Sequence, residues 1–154
     1  MANLVDEIKQ TKPFATPEDE VFVNVLRTAE AFLWKEAELL KSHELTPSQY
    51  NVLRILRGAG PEGLICREIS ERMIARDPDV TKLIDRLEAR GYVTRERQEK
   101  DRRVIVIRIT DEALKVLAEI DGPALDMTAK LLGHLGDERL KNLNGLLEAA
   151  REKI

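Results

Sequence analysis

Residues Arg76–Ile109 read RDPDVTKLIDRLEARGYVTRERQEKDRRVIVIRI, and this stretch decides the fold. Its first half is punctuated as a helix. Asp77 is placed to cap it, and Pro78 suits the first helical position, where a missing N–H costs nothing. Val80, Leu83, Ile84 and Leu87 then recur at i, i+3, i+4 and i+7, which makes one apolar stripe. Gly91 supplies a left-handed stop, with Tyr92 placed to pack back on Leu87. Opposite the stripe stand Asp79, Lys82, Asp85 and Arg86, with Thr81 on the flank. The second half changes period. Val93, Arg95 and Arg97 alternate with Tyr92, Thr94 and Glu96, and beyond a charged break Ile105, Ile107 and Ile109 alternate with Val104, Val106 and Arg108. Two such runs joined by Gln98–Arg103 make a hairpin. From Arg95 to Arg103 five basic residues face three acidic ones. A helix with a polar outer face followed directly by a cationic ribbon is the layout of a winged helix-turn-helix. Such a module sets the helix in the DNA major groove and the ribbon against phosphate or the minor groove.

The charge balance supports this once the chain is divided. The whole sequence has 25 Lys+Arg against 28 Asp+Glu, or −3. Between Arg54 and Arg108 there are 14 basic and 10 acidic residues, leaving 11 and 18 elsewhere. Positive charge gathers where the hairpin lies, and phosphate responds to local potential rather than to the sum. A chain of 154 residues, 43% hydrophobic but only 4% aromatic, has one domain's worth of length and an aliphatic core that favours helices. No apolar run reaches the roughly 20 residues of a membrane span. With no signal-peptide pattern and one cysteine, a cytoplasmic location without disulfides is expected.

Outside the central stretch, Met1–Ala15 shows no clear period and reads as an arm. Thr16-Pro17 opens a first helix with Phe22, Val25, Leu26, Ala29, Phe32, Leu33 and Leu40 on one face, extending to about Ser42. Thr46-Pro47-Ser48-Gln49 is a capping box, with Leu45 stapled to Tyr50, and opens a helix to about Arg57. Gly58–Gly63 is a turn, and a short helix spans roughly Ile65–Met73 with Arg67–Glu71 and Glu68–Arg72 as i, i+4 pairs. Thr110 restarts a helix that Gly122-Pro123 should kink or interrupt. Asp137 is placed to cap a last helix carrying Leu140, Leu143, Leu147 and Ile154. The fold class is therefore mainly α with a small β-hairpin wing, one domain over residues 1–154. A DNA-binding module over 46–110 is flanked by helical segments at 16–45 and 111–154. Those flanking helices would leave leucine-rich faces wet in a monomer, at roughly 25 cal/mol per Å². A two-fold homodimer buries them and presents two reading helices to a palindromic operator.

In the segments LTPSQYNVLRIL, REISERM, DVTKLIDRLEARGYVTR and DRRVIVIRIT, the chain resembles the MarR family (multiple antibiotic resistance regulators), from about Glu20 to Ile154. The family's wing signature Asp-x-Arg falls on Asp101 and Arg103. Its recognition helix falls on Asp77–Arg90, with Thr81 and Lys82 where the family has a hydroxyl and a basic residue. Two departures stand out. Arg76, Asp77 and Asp79 replace the small residues common ahead of that threonine, and no glycine follows Ile109-Thr110. The resemblance implies a homodimeric repressor of double-stranded DNA, released by a small molecule. The candidate DNA-facing set is Arg76, Asp79, Thr81, Lys82 and Arg86 on the helix, and Arg95, Arg97, Lys100, Asp101, Arg102 and Arg103 on the ribbon. Relatives bind small aromatic effectors between the dimer helices and the reading module, which makes Phe32, Trp34 and Tyr50 candidate pocket residues. Core packing is the competing role for each. Cys66 reads as a small packed hydrophobe rather than the redox thiol some relatives carry. His43 and His134 stand apart from any ligand spacing, so neither metal nor cofactor is expected. A winged-helix module that binds protein instead of DNA is the alternative, favoured by the acidic whole-chain charge. An enzyme is not expected, for want of a catalytic triad, phosphate loop or paired carboxylates.

Overall fold

The computed structural model describes residues 3–154, and most of its helices begin where side chains satisfy free N–H groups. Asn3 caps a short helix, α1 (Leu4–Glu7), inside the segment read as an arm, and Leu4 is buried. Thr16 accepts from the Asp19 N–H to open α2 (Pro17–Leu40). The Thr46–Gln49 capping box is complete at the start of α3 (Pro47–Ala59), with each residue's side chain accepting from the other's backbone N–H at 3.2 and 3.0 Å. Leu45 and Tyr50 are both in the core, as the staple expects.

A third strand joins the expected hairpin. Leu64–Ile65 form β1, so Ile65 precedes the next helix rather than opening it, and α4 covers Cys66–Arg72. Glu68 turns back to accept from the Ile65 N–H at 3.0 Å, while the Arg67–Glu71 pair closes at 2.8 Å. β1 lies antiparallel to β3 (Ile105–Ile109), which pairs on its other side with β2 (Val93–Arg97), in the order β1-β3-β2. The registers set Leu64 against Ile107, and Arg95 against Ile107 from the far side. Gly63 enters β1 at φ +70°, where a Cβ would lie 2.4 Å from the Ile107 carbonyl oxygen. Only glycine fits so close an approach.

The central helix, α5 (Val80–Ala89), starts two residues later than expected. Asp79, not Asp77, is the cap, accepting from the Lys82 N–H at 3.1 Å. Asp77 accepts instead from the Asp79 N–H at 2.8 Å, which holds Pro78 in a turn ahead of the helix. Val80, Leu83, Ile84 and Leu87 are all buried. The end is a Schellman turn: Tyr92 N–H reaches the Leu87 carbonyl at 2.9 Å, with Gly91 at φ +74°.

Two other expectations concern the C-terminal side. Helix α6 (Asp111–Leu132) continues through Gly122-Pro123, so the proline does not interrupt it. Glu119, whose carbonyl loses its partner to the proline, is exposed, as are Gly122 and Pro123, so water can serve that oxygen. Helix α7 (Gly136–Arg151) follows a 3₁₀ turn at Gly133–Leu135 and has no side-chain cap; Asp137 sits within its first turn. One core joins Leu40 of α2, Val52, Leu53 and Leu56 of α3, Ile69 of α4, the α5 stripe, Val93, Ile107, and Leu117 and Ile120 of α6.

Candidate nucleic-acid interface

Burying one stripe of α5 leaves its other face in solvent. Thr81, Lys82, Asp85, Arg86 and Glu88 are exposed there. The turn that delivers this helix, between α4 and Val80, is pinned where the Asn51 side-chain oxygen accepts from the Ile74 N–H at 2.8 Å. Arg76 is exposed on that turn. Asp79 is occupied twice by Lys82, through the cap and through an ion pair to Nζ at 2.9 Å. Those side-chain and backbone hydrogen bonds from Lys82 hold the Asp79 carboxyl below its usual range. It serves the helix as a fixed anion at the positive end.

The ribbon beside it divides into a root and a tip. At the tip the turn is built by its own aspartate. The Asp101 carboxylate accepts from the Arg103 N–H at 3.0 Å, its carbonyl from the Val104 N–H at 3.0 Å, and the Val104 carbonyl from the Gln98 N–H at 3.0 Å. Asp101 thus shapes the bend that carries Lys100, Arg102 and Arg103, and these three and Arg97 are exposed. At the root the arginines are engaged with protein. Arg95, placed by the sequence among phosphate contacts or strand-edge charges, has a side chain only 25% exposed. It forks onto Asp85 at 2.5 Å and Glu88 at 3.0 Å. Arg108, on the opposite face of the hairpin, pairs with Glu96 and donates to the Pro61 carbonyl at 2.9 Å.

The chain is similar to known proteins in both sequence and fold. The family model described as "MarR family" covers residues 43–104. The HTH-type transcriptional repressor MdtR of Bacillus subtilis (strain 168) is 32% identical over 126 residues, 79% of this chain and 80% of MdtR. The chain belongs to the MarR family. The HTH-type transcriptional regulator TtmR of Methylorubrum extorquens (strain PA1) is 35% identical over 125 residues, 75% of this chain. That match spans only 63% of TtmR's own length. Among solved structures, a MarR transcription factor from Planctomyces limnophilus is 36% identical, covers 89% of this chain and 99% of its own, and superposes with a TM-score of 0.67. MarR-family proteins are transcription regulators, not enzymes.

The pocket residues expected of a MarR-type effector site do not stay together. Phe32 and Trp34 line an open hollow with Glu7, Arg27, Lys35 and Leu131. Trp34 is 58% exposed, and Lys35 Nζ stands 4.7 Å from its ring centre. That is a cation–π contact at the surface, not core packing. Tyr50 does not line that hollow: it is buried in the core, with Arg54 5.6 Å from its ring. Burial pushes its phenol above the usual range, opposed by Arg54. Cys66 is half-buried and packs against the core. His43 lies within reach of Ser42 and Glu119, at 3.2 and 3.3 Å. Among the described residues no three His, Cys, Asp or Glu side chains are grouped to hold a metal.

Sequence reasoning missed several residues that hold the MarR-type module in place. Arg90 donates to the Glu44 and His43 carbonyls at 2.5 and 3.0 Å and stacks 4.7 Å from the Tyr92 ring, tying the end of α5 to the turn between α2 and α3. Arg57 of α3 grips Asp121 of α6 through two bonds of 2.8 and 3.0 Å. Both link residues far apart in sequence, so no local pattern announced them. For Arg95 a signal existed, since strict alternation puts it on the same face as buried Val93.

Proposed function

We propose that this MarR-family protein is a homodimeric DNA-binding repressor of a palindromic operator. In this reading α5 lies in the major groove and the Lys100–Arg103 tip meets the minor groove or phosphates, with Arg76, Thr81, Lys82, Arg86 and Arg97 completing the contact surface. The observation that carries it is the exposure of the α5 polar face together with the exposed cations of the hairpin tip. The segment 46–110 acts as the DNA-binding module, with 16–45 and 111–154 supplying the dimer. Support for the dimer comes from Val21, Phe22 and Leu26 on α2 and Leu146 on α7, all more than half exposed. Two copies joined there present reading helices about one DNA turn, roughly 34–36 Å, apart. MdtR's description as a repressor supports the direction of regulation. A small aromatic ligand at Phe32 and Trp34 would release the operator by binding one helix spacing better than the other. Among the described residues no helix is long and apolar enough to cross a membrane, which suits a cytoplasmic regulator.

The test is charge reversal, Arg102→Glu with Arg103→Glu, read by gel shift at two salt concentrations on duplexes selected from a random pool. Affinity should fall and the salt slope should drop by about two, one for each lost phosphate contact. Unchanged affinity and slope would remove the wing tip from the mechanism. Failure of the wild-type protein to stay on a heparin or nonspecific DNA column at low salt would favour a protein-binding module.

A further inference from the structure

The exposed side of α5 carries two carboxylates, Asp85 and Glu88, where a DNA-reading surface should avoid them. Negative groups there repel phosphate, and at the base edges they are suited only to cytosine's amino group. Both are already engaged by Arg95 from β2, at 2.5 and 3.0 Å. The same guanidinium approaches the Thr81 carbonyl at 3.5 Å, so it reaches along the helix from Thr81 to Glu88. A planar five-donor fork suits such multiple contacts where an ammonium would not. The Arg95 side chain is three-quarters shielded from solvent. On the reverse face, Arg108 fastens β3 to the Pro61 carbonyl and to Glu96. The hairpin is thus gripped at its root from both sides, and its exposed cations begin only at Arg97.

We propose that Arg95 is a positioning residue for DNA reading, and that Asp85 and Glu88 exist on the reading helix to hold it. The clamp fixes the angle between α5 and the wing, so that helix and tip meet one operator half-site together. This rests on the DNA-binding reading given above and deepens it. Burial pulls the Arg95 pKa down, but the two carboxylates outweigh burial and hold it above the usual arginine value, so the guanidinium stays charged. The consequence is a specificity device. Nonspecific DNA, bound through phosphates alone, needs no fixed angle; the operator does.

The experiment uses the full chain with three variants: Arg95→Ala, the double variant Asp85→Asn with Glu88→Gln, and Arg103→Ala as the tip control. Affinities are measured for the selected operator and for an unrelated duplex over a salt series, and amide hydrogen exchange is followed in the free protein. For Arg95→Ala, operator affinity should fall by about tenfold or more with an unchanged salt slope, whereas Arg103→Ala should lower the slope by about one. The double variant removes two negative charges from the DNA-facing side, so it should bind unrelated DNA more tightly yet bind the operator more weakly. Exchange of the Val93–Arg97 amides should quicken in both clamp variants and not in the tip control. A slope lowered by Arg95→Ala on both duplexes would make Arg95 a phosphate contact and overturn the proposal. So would a double variant that tightens on both duplexes alike, or exchange unchanged by either clamp variant. If Arg95→Ala does not fold, the double variant, which changes no residue's size appreciably, decides. Wild-type protein that bound no duplex would sink the DNA reading, while the exchange measurement would still decide whether the clamp holds the hairpin.

Discussion

At the residue scale, the ties between distant segments are arginines gripping carboxylates and carbonyls, and they carry a pH dependence. Arg57 and Asp121 join α3 to α6 by a two-bond grip, with side chains 34% and 45% exposed. The hydrogen bonds from Arg57 hold the Asp121 carboxyl below its usual range, against the opposing effect of burial. In the unfolded chain the same group titrates near its ordinary value of about 3.9. Between the two values the unfolded chain binds more protons, so stability rises with pH there. The contribution is present in full above the unfolded value and is lost as pH falls through the folded one. Solvent screening at this exposure limits it to about 1 kcal/mol or less. Asp121→Asn should therefore lower the urea midpoint at pH 7, and the gap to wild type should narrow as the pH is brought below about 4. A gap of constant size across that range would mean that the tie acts by shape rather than by charge.

At the element scale, what could be read in advance was whatever the chain settles locally. The α5 stripe, the Thr46 box and the Gly91 stop are all written within a few residues of where they act, and each is found. The misreadings share a cause in distance or in competition. β1 is two residues long and exists because Leu64 and Ile65 meet Ile107 and Val106, more than 40 positions away, so its only local mark is Gly63. Asp77 and Asp79 are two good caps two residues apart, and only the backbone decides between them. The candidate interface divides in the same way. The tip cations were legible from composition, but the engagement of Arg95 with α5 required knowing which helix its face would meet. Pro123 does not interrupt α6, because packing onto α2 and α3 holds that helix on both sides of the proline. Ile120, on the turn just before the proline, is buried in the shared core, and Met127 and Leu131 beyond it are half-buried, which holds the helix together across the gap. Proline in a helix interior costs about 3 kcal/mol relative to alanine. Part of that is recoverable, because Pro123 is exposed and alanine would restore the bond to the Glu119 carbonyl. Pro123→Ala should raise stability by on the order of 1 kcal/mol, seen as a few degrees in thermal unfolding. A fall in Tm would show that the ring's contact in the hollow it shares with Leu39 and Met127 outweighs the missing bond.

At the scale of the whole molecule, several large apolar side chains stand in solvent on α2 and α7. Phe22 is 64% exposed and Leu146 70% exposed, and the start of α2 and end of α7 wall one open groove through Val21, Phe22, Val25, Leu147 and Ile154. Large contiguous apolar patches on a protein surface mark places where another surface belongs. If that surface is a second copy, joining two reading modules makes the second contact intramolecular, at an effective concentration in the millimolar range. Phe22→Glu with Leu146→Glu places charges where apolar side chains would meet. The variant should run as a monomer by light scattering, while the core, to which neither residue contributes, keeps it folded. Its affinity for an isolated half-site should match that of wild type, because α5 and the wing are untouched. Its affinity for the full palindrome should fall by about a hundredfold or more, since the two half-sites no longer bind as one. A monomeric variant that held the full palindrome as tightly as wild type would separate dimerisation from operator recognition. A variant that stayed dimeric would move the interface away from this groove.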